Sequence, residues 1–181
     1  MKPWRVLSSN VLLDRLPWLR VTEQNVRLPN GHVIERYLLA DTREYSMVFA
    51  LTEDGRVPLV RQYKHGPSKL VYDLPAGYLD DGEDPLAAAQ RELLEETGYA
   101  VDDWRHLSSV LLDANRTSAR AHLFLARGAR QVAAPHLDET EDLVTQLCVP
   151  EQLLAMVRSH EIDNMATVAC ILLALDVLNG R

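Results

Sequence analysis

The sequence predicts a mixed α/β (α+β) fold in which helices cover a β-sheet, preceded by a small N-terminal β-hairpin region. The chain has 181 residues, of which 47% are hydrophobic, and this suffices for one globular domain with its own core. Short apolar or alternating stretches are separated by turn sequences, which is typical of strands. Three longer segments begin with capping or proline signals, which is typical of helices.

The N-terminal region is predicted to be a β-hairpin. Residues 18–26 and 33–39 have the pattern of strands, and the Leu-Pro-Asn-Gly sequence at residues 28–31 is a turn signal between them. A polar stretch at residues 41–44 follows. We therefore expect an N-terminal region over residues 1–43 and a second domain over residues 44–181.

The second domain is predicted to alternate strands and helices. Strands are expected at residues 47–51 and 57–63, as a second hairpin around residues 53–56, and at residues 71–74. Asp84 and Pro85 begin a helix that runs to about Thr97, and Gly98 is suited to a left-handed stop. Further strands are expected at residues 104–112, 121–126 and 144–149, and further helices at residues 150–159 and from Asn164 or Met165 to Leu178.

Charge and cysteine usage restrict the class of protein. Nineteen basic against 26 acidic residues give a net charge of −7, which disfavours a nucleic acid or an anionic membrane as the main partner. An anionic substrate would then call for a bound cation. Cys148 and Cys170 lack the spacing of a metal or redox motif and are expected to be buried thiols. With no secretory signal and no apolar run long enough to cross a bilayer, we expect a cytoplasmic protein.

Three carboxylates on the first helix form the main candidate site. Around the helix axis, Glu96 lies about 40° from Glu92 and Glu95 lies about 60° from it on the other side, so the three carboxylates share one arc. Like charges at this spacing repel, and Arg91 is the only cation near them in the sequence. A solvated acidic face is one interpretation. The other is a site for Mg²⁺ or Mn²⁺, which prefer such oxygen ligands.

The surrounding residues resemble the Nudix box, G-x5-E-x7-R-E-U-x-E-E-x-G-U, in which U is apolar. The chain departs from it only at the last position, which is Tyr99. The matching positions are Gly77, Glu83, Arg91, Glu92, Leu93, Glu95, Glu96 and Gly98. This resemblance implies a Nudix-type α/β/α sandwich and a Mg²⁺-dependent hydrolase, with Mn²⁺ as a substitute, acting on a diphosphate linked to a nucleoside and a second group.

The resemblance also implies roles for the residues of the box. Glu95 and Glu96 are expected to be the central metal ligands, with Glu92 and the carbonyl oxygen of Gly77 completing the shell. Glu92 and Arg91 are counted with the catalytic residues, since Arg91 would hold a box carboxylate in place. Glu83 and Gly98 would be structural.

Residues outside the box resemble ADP-ribose and nucleoside diphosphate sugar pyrophosphatases. Residues 73–77, Asp-Leu-Pro-Ala-Gly, are similar to their E-x-P-A-G segment, and residues 61–64, Arg-Gln-Tyr-Lys, to their R-Q-Y-R strand. The resemblance implies that Arg61 and Lys64 bind the diphosphate. Residues 113–118 lack the proline usual in ADP-ribose pyrophosphatases, so other nucleoside diphosphate sugars stay open as substrates.

Further candidates lie away from the box. By the same resemblance, Glu139 or Glu141, of which we favour Glu139, would act on the attacking water; the alternative is a solvated acidic loop. Trp18 and Arg20 are candidates for binding the substrate, with core packing as the alternative for Trp18. The six histidines lack HxH or HxxxH spacing, so we expect no histidine metal site.

The expected working unit is a homodimer formed through the N-terminal hairpin, because an isolated hairpin leaves an edge uncovered. A monomer with the hairpin folded back is the alternative. The expected activity is hydrolysis of ADP-ribose or a related nucleoside diphosphate sugar to a nucleoside monophosphate and a sugar phosphate. The competing functions are a non-catalytic nucleotide-sugar sensor and a nucleoside-triphosphate house-cleaning hydrolase.

Overall fold

The chain divides into two compact units in the computed structural model, which describes residues 1–138 and 142–180. The first unit comprises Met1–Glu44 and Leu111–Arg120, and the second comprises the rest of the described chain. Residues 111–120, which sequence analysis assigned to the second domain, thus belong to the first unit. They do so because backbone and side-chain hydrogen bonds tie them to a strand of that unit, as Ala40 N donates to Arg116 O at 2.7 Å.

The first unit contains an antiparallel three-stranded sheet in the order β1–β2–β3, built from β1 (Arg5–Arg15), β2 (Leu19–Arg27) and β3 (Val33–Asp41). The hairpin of β2 and β3 was predicted, but β1 was not. Every residue of β1 is exposed, so its sequence lacks the one-sided apolar alternation by which a half-buried strand is detected.

The second unit contains two sheets. One has the order β7–β4–β10–β8, with β9 also paired to β10, and the other has the order β11–β5–β6. Their strands are β4 (Tyr45–Thr52), β5 (Val57–Lys64), β6 (Lys69–Asp73), β7 (Ala76–Tyr78), β8 (Tyr99–Ala100), β9 (Asp103–Leu111), β10 (Arg120–Gln131) and β11 (Leu143–Cys148).

The predicted hairpin of β4 and β5 is wrong, although both strands and their turn exist. The turn closes with Thr52 N donating to Arg56 O at 2.8 Å, but the two strands then enter different sheets. The edges of β4 pair with β7 and with the parallel strand β10, while β5 pairs with β6 and β11. Long-range pairing has therefore displaced the local pairing that the turn suggested.

Three helices complete the second unit: α1 (Pro85–Thr97), α2 (Pro150–Arg158) and α3 (Met165–Leu178). On one face of β4, Val48 and Ala50 form a buried cluster with Ala89 and Leu93 of α1. The alternate residues of β4 point to the opposite face, and α3 also contacts β4. The predicted mixed α/β class is confirmed, and no described helix is both long and apolar enough to span a bilayer.

Candidate active site

Helix α1 is fixed at both ends, and this determines where its carboxylates lie. Asp84 Oδ1 accepts hydrogen bonds from Leu86 N at 2.9 Å and Ala87 N at 3.3 Å. At the other end Gly98 has a left-handed φ of 74°, and its N–H bonds to Leu94 O at 2.8 Å. The predicted start and end of this helix are thereby confirmed.

Glu92 lies directly against Gly77. A Cβ atom at Gly77 would be 1.8 Å from Glu92 Oε1, so only glycine allows this approach. Gly77 belongs to the short strand β7, which pairs with β4, while Glu92 is 7% exposed on α1. The strand and the helix are therefore in contact where the Glu92 carboxylate packs directly against the backbone of Gly77.

Arg91 gathers the neighbouring carboxylates. Its guanidinium forms a two-point contact with Glu83 at 3.0 Å each, and its Nη1 donates to Glu92 Oε1 at 2.6 Å and to Glu95 Oε2 at 3.2 Å. Nη2 also donates to the carbonyl oxygen of Tyr78 at 3.1 Å. One cation thus connects the end of β7, the loop before α1 and two turns of the helix.

This environment keeps Arg91 charged. The hydrogen bonds with Glu83, and then those with Glu92, hold the pKa of Arg91 above its ordinary value against the opposing effect of partial burial. The fork geometry of a guanidinium also fits a carboxylate at two points, which a lysine could not do. Arg91 therefore relieves the repulsion that the spacing of the glutamates predicts.

Glu96 has different partners. Its Oε2 accepts a hydrogen bond from Ala76 N at 3.0 Å, and its backbone carbonyl accepts one from Thr145 Oγ1 at 3.0 Å. The residue is 3% exposed. Glu96 and Glu92 thus hold consecutive residues of the same strand, Ala76 and Gly77.

A buried aspartate anchors the beginning of this segment. Asp73 is 5% exposed, and its Oδ1 accepts from Asn164 Nδ2 at 3.1 Å and from Thr167 Oγ1. Asn164 at the same time caps α3, since its Oδ1 accepts from Ala166 N. Burial raises the pKa of Asp73, an effect that Thr167, Lys64 and Asn164 partly offset.

The donor set fits a hard divalent cation, although no ready-made shell exists. Within residues 1–138 and 142–180, no three acidic, histidine or cysteine side chains converge as a metal cluster. However, the single nitrogen Nη1 of Arg91 lies within 3.2 Å of oxygens from both Glu92 and Glu95. The two carboxylates therefore lie close to each other, and oxygen ligands of this kind suit Mg²⁺.

The predicted substrate-binding residues are divided between the two units. Arg61 and Lys64 are exposed on β5, with the guanidinium of Arg61 5.7 Å from the ring centre of Tyr72. In the first unit Trp18 is 66% exposed beneath Arg43, and Arg20 pairs with Asp14 at 2.9 Å. Glu139 and Glu141 lie outside the described residues.

Sequence analysis missed the partners of the carboxylates. Two of these partners are backbone atoms, Ala76 N and Tyr78 O, and the third is the hydroxyl of Thr145, far along the chain. Backbone atoms and distant hydroxyls produce no spacing pattern in the sequence. The Asp73 contact to α3 spans more than 90 residues. Its only trace in the sequence was Asn164 at a helix start, which indicates capping but not the second bond.

Comparisons with known proteins agree with this geometry. Residues 41–167 match the model of the NUDIX domain, and residues 4–39 match that of the nucleoside diphosphate sugar hydrolase N-terminal domain. The chain is 31% identical to the methanol dehydrogenase activator of Bacillus methanolicus over 91% of this chain and 88% of that protein. It is 30% identical to the ADP-ribose pyrophosphatase of Mycobacterium tuberculosis over 86% of this chain and 75% of that protein.

The fold also matches a solved structure. The crystal structure of an ADP compounds hydrolase superposes with a TM-score of 0.87, covering 99% of this chain and 96% of that one at 20% identity. At this identity the match establishes the fold.

Proposed function

This chain belongs to the NUDIX domain family, and on that premise we propose that it hydrolyses the diphosphate bond of ADP-ribose or a related nucleoside diphosphate sugar. The products would be a nucleoside monophosphate and a sugar phosphate. The resemblance carried by the sequence motifs is confirmed by the family match. The fold and the relatives make the chain a hydrolase of this family.

One observation carries the choice of substrate class. The complete set of box carboxylates, positioned by Arg91, Ala76 and Gly77, occurs in the same chain as an N-terminal segment that matches the nucleoside diphosphate sugar hydrolase N-terminal domain. A sensor that only binds its ligand has no need of these clustered charges. A nucleoside-triphosphate hydrolase has no need of that N-terminal segment.

The proposed cation is Mg²⁺, with Mn²⁺ as a substitute, held by Glu92, Glu95, Glu96 and the carbonyl oxygen of Gly77. When bound, the ion would neutralise the diphosphate oxygens and lower the pKa of the attacking water. Two features of the chain support this placement. Glu92 and Glu96 are nearly buried acids, and buried carboxylates require a compensating charge. Both also pack on the strand that carries Gly77.

In this proposal Arg91 is a positioning residue. It bonds Glu83 in the loop before α1 as well as Glu92 and Glu95 on the helix, so it fixes the carboxylates relative to β7. Glu83 in turn accepts a hydrogen bond from Asp80 N at 2.9 Å. The loop geometry and the carboxylate positions are therefore set together.

Arg61 and Lys64 are proposed to bind the diphosphate. Both are exposed cations on β5, and the ring of Tyr72 supports Arg61. In a chain with a net charge of −7, such local positive charge favours an anionic ligand. Glu139, or else Glu141, is proposed as the group that orients or deprotonates the attacking water, on the resemblance alone.

The N-terminal unit is proposed to recognise the base through Trp18 and Arg20 and to form a homodimer. Trp18 presents an aromatic surface, and Arg20 is held in place by Asp14. All of β1 is exposed and includes the apolar residues Val6, Val11 and Leu12, each 52% exposed. A second copy would cover such a surface. We further propose a cytoplasmic location, in keeping with two buried, unpaired cysteines.

A substrate panel tests the proposed activity. The purified chain would be incubated with ADP-ribose, other ADP-, GDP- and UDP-sugars, and nucleoside triphosphates, with Mg²⁺, Mn²⁺ or a chelator, and the products separated by chromatography. We expect cleavage of at least one nucleoside diphosphate sugar to a monophosphate, abolished by the chelator. Activity confined to triphosphates would contradict the proposal, and tight binding without cleavage would favour the sensor.

A further inference from the structure

The end of α1 that carries Glu95 and Glu96 is bound by parts of the chain outside the helix. The last four carbonyl groups of an α-helix have no partner within it. Here Glu95 O accepts a hydrogen bond from His136 N at 2.8 Å, and Glu96 O accepts one from Thr145 Oγ1 at 3.0 Å. Two of the proposed metal ligands are therefore held by their main chain as well as by their side chains.

The two donors differ in their chemistry. His136 donates through its backbone N–H, which every residue except proline has. Thr145 donates through its side-chain hydroxyl, so a change to valine, which has nearly the same shape, removes this bond alone. Thr145 lies on β11, where it pairs with the fully buried Val60 of β5. The hydroxyl is therefore presented by a strand that is anchored in the core.

Glu96 joins α1 to both sheets of the second unit. Its carboxylate accepts the hydrogen bond of Ala76 N, on β7 of one sheet, at 3.0 Å. Its carbonyl accepts the bond of Thr145, on β11 of the other sheet. Glu96 is only 3% exposed, so little water competes for either bond. A displacement of its carbonyl must consequently disturb its carboxylate.

We propose that Thr145 is a positioning residue for the metal site, because its hydroxyl fixes the last turn of α1 and with it the carboxylates of Glu95 and Glu96. This inference rests on the proposed function, in which these two carboxylates hold the cation. It adds a neutral side chain 49 positions away from Glu96 that sets the affinity of the site for its ion.

The last turn of α1 needs such support. Residues 94–97 include two glutamates and no basic residue, although the C-terminal end of a helix disfavours negative charge. A lysine or arginine at the position of Thr145 would relieve this but would repel a metal ion. A hydroxyl satisfies the carbonyl without adding charge, so the turn is held while the carboxylates keep their attraction for the cation.

Manganese binding to the full-length chain tests this inference. Mn²⁺ would be titrated into metal-free protein without substrate, and the free ion followed by electron paramagnetic resonance. Thr145→Val should weaken binding by about tenfold or more, as is usual for partners of metal ligands. Thr145→Ser retains the hydroxyl and should bind like the unmodified chain. Unaltered or tighter binding in Thr145→Val, or an equal loss in Thr145→Ser, would overturn the proposal.

Ser159→Ala is the matched control. Ser159 Oγ donates to Met156 O at 3.2 Å near the end of α2, so this variant removes a bond of the same kind from a helix without proposed ligands. Its Mn²⁺ affinity should be unchanged, and a loss as large as that of Thr145→Val would overturn the proposal. Thermal unfolding shows whether the variants fold. Should Thr145→Val fold poorly, Thr145→Ala compared with Thr145→Ser gives the effect of the hydroxyl, and equal affinities in that pair would overturn the proposal.

Glu96→Gln separates a failure of this inference from a failure of the proposed metal site. Weaker Mn²⁺ binding in Glu96→Gln, together with unaltered binding in Thr145→Val, would overturn the role of Thr145 and leave the metal site in place. No Mn²⁺ binding to the unmodified chain, or binding that Glu96→Gln does not weaken, would overturn both.

Discussion

The position of Glu92 depends on the absence of a side chain at Gly77. Replacing it by alanine would place a methyl group 1.8 Å from Glu92 Oε1, so the carboxylate or the strand must move. Overpacking of this kind costs about 1–3 kcal/mol. We expect Gly77→Ala to lower kcat/KM for the diphosphate substrate by at least about tenfold. Steady-state kinetics would measure this loss, and thermal unfolding of the same variant would measure the change in stability.

Gly66→Ala is the control for that change. Gly66 lies between β5 and β6, where an added Cβ meets nothing within 4 Å. Its activity should equal that of the unmodified chain. Full activity in Gly77→Ala would mean that the close approach of Glu92 is not required.

Glu96→Gln separates charge from hydrogen bonding. The glutamine carbonyl can still accept the bond from Ala76 N, which is 3.0 Å in the structure, so the fold should persist. The lost charge should lower turnover by about two orders of magnitude or more, since each 1.4 kcal/mol of transition-state stabilisation is about tenfold. Steady-state kinetics at saturating Mg²⁺ measure this, with the exposed Glu151→Gln on α2 as control. Wild-type turnover would exclude Glu96 as a central ligand.

Asp73 should give the fold a pH dependence of unusual sign. Burial raises its pKa, so above the unfolded value of about 3.9 the folded chain holds the proton more tightly than the unfolded chain. Its contribution to stability is complete below that value and is lost as the pH rises through the folded pKa. Asp73→Asn removes this loss, so the variant's free energy of unfolding, relative to wild type, should rise with pH.

Urea unfolding across the acidic range measures this difference. Asp163→Asn provides a comparison of opposite sign, because the hydrogen bond from Lys69 lowers the pKa of Asp163. That carboxylate contributes above its unfolded pKa, and the contribution is lost as the pH falls. A relative stability of Asp73→Asn that is flat, or that falls with pH, would contradict the buried-acid description.

At the scale of elements, the end of α1 is the most sensitive point. Gly98 has φ 74°, and an added Cβ would be 2.1 Å from Ala133 O. Gly128 has a similar φ of 75° but open space around it. A left-handed alanine costs about 1–2 kcal/mol, so Gly128→Ala measures that cost alone. We expect Gly98→Ala to lower the free energy of unfolding by at least about 1 kcal/mol more than Gly128→Ala, because of the clash. Chemical denaturation of both variants measures the difference. Equal losses would show that the backbone near Gly98 moves to make room for the methyl group.

Elements with local signals were predictable from the sequence. Both ends of α1 follow from Asp84, Pro85 and Gly98, whose side chains or backbone freedom act within one turn. The partners of β4 and β5 could not be predicted in this way, because each strand pairs with strands far along the chain. β1 was missed since its apolar residues point to both faces, a pattern that a partner chain would explain better than a buried core.

The site was predictable to the same extent. Helical spacing placed Glu92, Glu95 and Glu96 on one arc, and the structure keeps them there. Spacing did not reveal that Arg91 donates hydrogen bonds to Glu92 and Glu95, whereas Glu96 accepts one from Ala76 N. Those choices depend on β7 and on the loop before the helix, whose positions are set by the tertiary fold.

For the whole molecule, the exposed strand β1 leads to a prediction about assembly. Light scattering should give the mass of two chains, and Leu12→Glu should shift it towards one, because a charge would be buried in the proposed contact. Val132→Glu, at a side chain 62% exposed in the other unit, is the control and should leave the mass unchanged. A single-chain mass for the unmodified protein would reject the dimer.

The Arg91 clamp has a consequence for how this fold diversifies. Its contacts with Glu83 and the Tyr78 carbonyl hold the loop before α1 without any help from Glu95 or Glu96. Substitution of Glu95 would thus spare the loop, whereas substitution of Glu96 would remove the carboxylate that accepts the hydrogen bond of Ala76 N. A descendant of this chain could therefore lose Glu95, one of the proposed metal ligands, and still keep the contacts that Arg91 makes with this loop.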